Sequence, residues 1–106
     1  KVAVFPLVSN KPQIVKKAKE VYCGLKKYFN VFYDGGGSIG RRYARQDEIG
    51  TPLCITIDFD SIKRNDITIR ERDTTKQVRI KIKDLAHKIR DYMDGARFEK
   101  LGRILK

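Results

Sequence analysis

Val2, Ala3, Val4, Phe5, Leu7 and Val8 form a nearly unbroken apolar run, the pattern of a strand buried on both faces. Ser9, Asn10 and Pro12 then signal a helix start. Ile14, Ala18, Val21, Tyr22, Leu25 and Phe29 recur at helical spacing, which leaves Lys16, Lys17, Lys19, Lys26 and Lys27 for the solvent side of a helix running to about Phe29. Val31 to Asp34 reads as a short second strand and Gly35 to Gly37 as a turn. Ser38 is a cap for a second helix through about Ile49, closed by Gly50 and Pro52. From Leu53 the period drops to two, with Leu53, Ile55, Ile57 and Phe59 on one face and Cys54, Thr56 and Asp58 on the other. A turn through Ser61 to Asp66 leads to two more strands, with Ile67, Ile69, Val78, Ile80 and Ile82 inward and Thr68, Arg70, Arg72, Arg79 and Lys81 outward. Leu85, Ile89, Tyr92 and Met93 predict a third helix stopped at Gly95, with Phe98, Leu101, Ile104 and Leu105 as a short tail helix. The sum is an α/β fold, a mixed sheet of about five strands flanked by three helices, its first three strands parallel and the later ones an antiparallel hairpin.

One hundred and six residues suit one domain with one core. No apolar run approaches the roughly 20 residues of a membrane helix, and the opening KVAVFPLVSN lacks the features of a signal peptide. Because residue 1 is Lys, the chain reads as a fragment of something larger. Charge changes the picture more. Lys and Arg number 24 against 13 Asp and Glu, a net of +11, which makes a polyanion the natural partner. The excess sits at the two ends: residues 1–30 carry +6, residues 31–60 carry −2 and residues 61–106 carry +7. A basic surface without a partner is the alternative.

The candidate chemistry is mostly negative. Cys23 and Cys54 form no CxxC pair and read as buried thiols of a reducing compartment. His87 is alone, too little for a His-based metal site or a Ser-His-Asp triad. Gly35 to Gly40 fits GxGxxG, with Asp60 twenty residues beyond Gly40, but the turn follows the second strand, Arg41, Arg42 and Arg45 fill the next helix, and the chain is too short for a second mononucleotide half. Gly36 to Gly40 also matches GxSxG in letters, with no base nearby by pattern. Asp58 and Asp60 suit a divalent cation or, more simply, a strand exit.

A different reading of the same turn comes from a longer pattern. Tyr33-Asp34, then Gly37-Ser38-Ile39-Gly40-Arg41-Arg42-Tyr43-Ala44-Arg45-Gln46-Asp47-Glu48-Ile49-Gly50-Thr51-Pro52, then Ile55 to Asp60, then Thr68 to Arg79 with its RERDT and KQVR segments, resembles the C-terminal anticodon-binding domain of glycyl-tRNA synthetases. The resemblance covers nearly the whole chain and implies a five-stranded mixed sheet with three helices. It also implies a non-catalytic module that binds the anticodon stem-loop of tRNA(Gly). A class II catalytic domain of the same polypeptide, absent here, would join glycine to tRNA with ATP and Mg²⁺ in a cytoplasmic, homodimeric parent. No cofactor is expected in this domain. Glycine anticodons end in two cytosines, and cytosine offers an N4 donor beside N3 and O2 acceptors, so a carboxylate next to a guanidinium fits it. On that basis Asp47 or Glu48 would accept from N4, Arg70 or Arg72 would donate to O2 and N3, and Lys16, Lys17, Lys19, Arg79 and Lys81 would serve phosphates. Arg42 and Arg45, with Arg41, either join the interface or pair with Asp47 and Glu48 on the surface. The same domain type in a mitochondrial DNA polymerase accessory subunit, binding protein and DNA, is the alternative family function.

Overall fold

The computed structural model describes residues 2–105. Six strands form one sheet in the order β2-β1-β3-β4-β5-β6. The strands are β1 (Val2–Pro6), β2 (Val31–Tyr33), β3 (Leu53–Ile57), β4 (Asp66–Glu71), β5 (Gln77–Lys81) and β6 (Arg103–Leu105), and the helices are α1 (Pro12–Leu25), α2 (Ile39–Ile49), α3 (Phe59–Arg64) and α4 (Leu85–Met93). As the alternating helices require, β1 runs parallel to both β2 and β3, while β3 with β4, β4 with β5 and β5 with β6 are antiparallel.

The two sheet faces are covered by different chemistry. Val2, Val4, Ile55, Ile57, Ile67, Ile69, Val78 and Ile80 face α1 and α4, whose Ile14, Ala18, Val21, Leu25, Leu85 and Ile89 complete the main core. Each such side chain fully removed from water is worth roughly 1.5–3 kcal/mol, so this face holds the fold together. On the other face Ala3, Phe5 and Cys54 pack under Ile39 and Tyr43 of α2. Beyond α2 that face turns polar, since alternation places Thr68, Arg70, Gln77, Arg79 and Arg103 there in paired register.

The α/β class and the mixed sheet are as expected, and four details differ. The segment after β3 is a helix rather than a turn. Asp58 accepts from the Ser61 N–H at 3.0 Å while the Ser61 hydroxyl accepts from the Asp58 N–H at 3.0 Å, a reciprocal cap that ends the strand at Ile57 and leaves Phe59 exposed. The tail is not a helix: Phe98–Lys100 makes one 3₁₀ turn and β6 adds a sixth strand. Gly102 permits this, because a Cβ there would lie 2.5 Å from the Arg79 carbonyl oxygen. Helix α1 stops at Leu25, with Phe29 donating its N–H back to the Leu25 carbonyl at 3.0 Å across a closing turn. Cys23 lies outside the apolar stripe of α1 and is exposed, whereas Cys54 is buried as expected. Among the described residues no helix is long and apolar enough to cross a membrane.

Candidate nucleic-acid interface

Helix α2 organises the polar side of the sheet. Its start is fixed by Ser38, which accepts from the Arg41 N–H at 3.3 Å, and its end by Gly50 at φ +90°, whose N–H returns to the Gln46 and Asp47 carbonyls. Between them the buried stripe is not apolar. Arg42 is 2 % exposed and Gln46 5 %. The Arg42 guanidinium donates to the carbonyls of Pro6, Gly36 and Gly37 and to the Ser9 hydroxyl. Arg45 grips both oxygens of Asp34 at 3.0 Å and the Gly36 carbonyl at 2.9 Å. These two side chains therefore hold the glycine turn from outside. The turn's carbonyls, not its amides, are the groups gathered at that point, so the GxGxxG run offers no pyrophosphate cradle.

The C-terminal end of α2 meets the end of β4. Asp47 accepts two bonds from Arg70, at 3.0 and 3.3 Å, and the Arg70 guanidinium lies 4.8 Å above the Tyr43 ring. Tyr43 is itself fixed by a 2.6 Å bond to the Thr56 hydroxyl and an edge contact with Phe5. Burial raises the Tyr43 phenol above its ordinary value, the Thr56 bond working against the shift, so it stays a neutral ring under the cation. Arg72 stands beside Gly50, its Nε donating to Asp73 at 3.1 Å, and Glu48 is exposed. Asp47, Arg70 and Tyr43 thus come together, a bidentate pair stacked on an aromatic, with Arg72 beside the Gly50 cap and Glu48 the next residue along α2.

Arg79 is elsewhere and otherwise engaged. It donates to Asp58 at 2.7 Å and to Asp66 at 2.6 Å, with its side chain 12 % exposed and that of Asp66 4 %. Burial by itself would raise the Asp58 carboxyl; the Arg79 bond and charge and the Ser61 bonds outweigh it and hold the group below its ordinary range. Arg79 is pushed up mainly by its bond to Asp58. Arg79, expected to serve phosphates, forms a clasp joining the end of β3, the start of β4 and β5. Nor do Arg42 and Arg45 pair with Asp47 and Glu48, since their partners are the glycine turn, Ser9, Pro6 and Asp34. The α1 lysines lie across the sheet from Arg70, and Lys17 donates to the Asn65 side chain at 2.7 Å. Among the described residues no group of three or more His, Cys, Asp or Glu side chains is placed to hold a metal ion.

The family profile described as an anticodon binding domain matches residues 1–92. A glycine–tRNA ligase of Rhodopirellula baltica is 53% identical over 96 residues, 91% of this chain and 18% of that protein. One of Aeropyrum pernix is 48% identical over 105 residues, 97% of this chain and again 18% of the relative. The chain spans about a fifth of the length of the curated relatives it matches. In three dimensions it is similar to part of the prolyl-tRNA synthetase of Cryptosporidium parvum complexed with L-proline and AMP, at TM-score 0.80 and 23% identity over 88% of this chain and 20% of that one, which is a likeness of fold. With the profile covering the chain through all but the last residue of α4, the chain belongs to the anticodon-binding domain family.

Proposed function

We propose that this domain binds the anticodon stem-loop of tRNA(Gly) on the α2 side of its sheet, as part of a cytoplasmic, homodimeric glycyl-tRNA synthetase whose remaining domains bind glycine, ATP and Mg²⁺. The observation that carries the reading is the Arg70–Asp47 pair stacked over Tyr43. Sequence-specific RNA readers act on unstacked loop bases through Watson-Crick edges and stacking, and a fixed carboxylate beside a guanidinium matches the donor and acceptors of cytosine. Glu48, exposed and next to Asp47 in α2, would supply a second acceptor, and Arg72 a second donor. Arg42 and Arg45 act through the turn they hold, positioning α2 rather than touching a base. The glycine–tRNA ligase relatives favour this reading over a polymerase accessory subunit.

The test is a titration of the chain with a labelled tRNA(Gly) anticodon stem-loop and with the same loop carrying replaced cytosines. Arg70→Ala, Arg72→Ala and Glu48→Ala should each cost about 1–3 kcal/mol against the cognate loop and little against the altered one. Lys16→Ala, across the sheet, should leave both affinities near the unsubstituted values. Equal binding of the two loops by the unsubstituted chain would remove the proposal.

A further inference from the structure

The sheet face that carries Arg70 continues past the clasp to a hollow of about 270 Å³, lined by Arg64, Asp66, Arg79, Ile80, Lys81 and Arg103. Four of the six are cations, contributed by three separate elements: Arg64 ends α3, Arg79 and Lys81 lie on β5, and Arg103 opens β6. Asp66, the one acid among them, is 3 % exposed and already accepts from Arg79 at 2.6 Å, so it stands in the wall with its charge matched. Lys81 donates to the Arg64 carbonyl at 3.0 Å, which fixes its ammonium at the rim and leaves further N–H groups free.

The pairing of β6 with β5 gives the hollow its character. Arg103 is directly opposite Arg79, two guanidinium-bearing residues in cross-strand register, an arrangement that disfavours pairing unless the charge is balanced. Asp58 and Asp66 balance Arg79 alone. Arg64, Lys81 and Arg103 have no carboxylate partner among the described residues. Yet the strand is held there, and Gly102 is the residue that lets it approach, since a Cβ at that position would meet both the Arg79 backbone and the Ile80 side chain. Two inter-strand steps and two residues along the strand put Arg103 roughly 12 Å from Arg70 on the same face, within reach of one bound strand.

We propose that this hollow is a phosphate-binding subsite for the RNA backbone, with Arg103, Lys81 and Arg64 as its ligands and the Arg79 clasp as its rigid floor. It rests on the reading of the α2 side as the loop-binding face and extends that interface onto the C-terminal strand, which lies outside the residues 1–92 that the family profile matches. A phosphodiester there gains charge-assisted bonds but conveys no base identity, so the subsite adds affinity and register to a face whose selectivity comes from Arg70 and Glu48.

The experiment compares Arg103→Gln, Lys81→Gln and Arg64→Gln with the unsubstituted chain, each titrated with the cognate stem-loop, the cytosine-replaced loop and inorganic phosphate across a salt series. Losing one phosphate contact on single-stranded RNA reduces the log-log salt slope by about 0.7, which is about an eightfold loss of affinity at 0.05 M and fourfold at 0.15 M salt if the 1 M intercept is kept. Arg103→Gln and Lys81→Gln should show that loss equally on both loops. Phosphate competing with the loop on the unsubstituted chain but not on Arg103→Gln would further support the subsite. Unchanged slopes in all three variants, while the unsubstituted chain still prefers the cognate loop, would overturn the subsite and leave the reading face standing. A change of loop preference in Arg103→Gln would overturn it too, by making that residue a base reader. Loss of loop preference in the unsubstituted chain is the separate failure of the underlying reading.

Discussion

Replacing Arg79 by Met removes a cation from between two carboxylates without removing much volume, and the structure sets the scale of the consequence. Asp66 is 4 % exposed at its side chain and Asp58 19 %, so both would be left short of water and without their counter-charge. Breaking a buried pair by removing one partner costs about 3–5 kcal/mol, against a total of about 5–15 kcal/mol for a domain of this kind. With a urea slope of about 2 kcal/mol per molar, the denaturation midpoint of Arg79→Met should fall by about 2 M. The triple variant Arg79→Met with Asp58→Asn and Asp66→Asn should recover much of the loss, because it removes the stranded charges and Asn still caps α3. The sign of the pH dependence follows from Asp58. Its carboxyl is held below the unfolded value of 3.8, so the stability it contributes is complete above that value and is lost as pH falls through the lower folded one. The gap between the unsubstituted chain and Arg79→Met should therefore be widest near neutrality and close under acid. A loss below about 1 kcal/mol, or a triple variant no more stable than the single one, would refute the clasp as a structural device.

Two further outcomes are expected. The chain alone should show no glycine-dependent pyrophosphate exchange; exchange by a homogeneous sample would mean that catalytic groups lie within these residues. Cys23, exposed on α1, should react with a thiol reagent in the native state while Cys54, buried and with its thiol pushed up to about 12 chiefly by burial, should react only after unfolding, as a two-phase thiol titration would register. Similar native rates at both thiols would show that the α2 side of the sheet opens to solvent.

Legibility in the sequence followed the strength of the local signal. Helix α2 was readable to the residue because Ser38 caps it and Gly50 ends it, both local chemistry. The β4–β5 hairpin was readable from period, and the parallel start from the helices that separate the strands. Helix α3 is illegible in the hydrophobic pattern, although Asp58 followed three residues later by Ser61 caps it, because six residues hold too little apolar period to register. Strand β6 is three residues long and its pairing depends on Gly102, whose role is a close approach and not a turn. The site divides in the same way. The expectation left Asp47 or Glu48 and Arg70 or Arg72 open as the acid and the base, and the structure bonds Asp47 to Arg70, 23 residues apart. Arg79's partners lie 21 and 13 residues away, and only the sheet order brings them together. Arg42 and Gln46 are a buried helical stripe written in polar residues, a period that a hydropathy reading passes over.

The strand order also bears on how the chain assembles. From β3 to β6 every neighbour in the sheet is the next strand in the chain, whereas β1 sits between β2 and β3 and must wait for two helical crossovers before both its edges are filled. Local pairings close cheap loops and form early, so the meander is the expected nucleus and the parallel half the late arrival. Arg70 belongs to the meander and Asp47 and Tyr43 to the late half. The stacked pair is thus completed only when the two halves join, and under the proposed function a partly folded chain would present a basic sheet able to attract RNA before it could tell one loop from another.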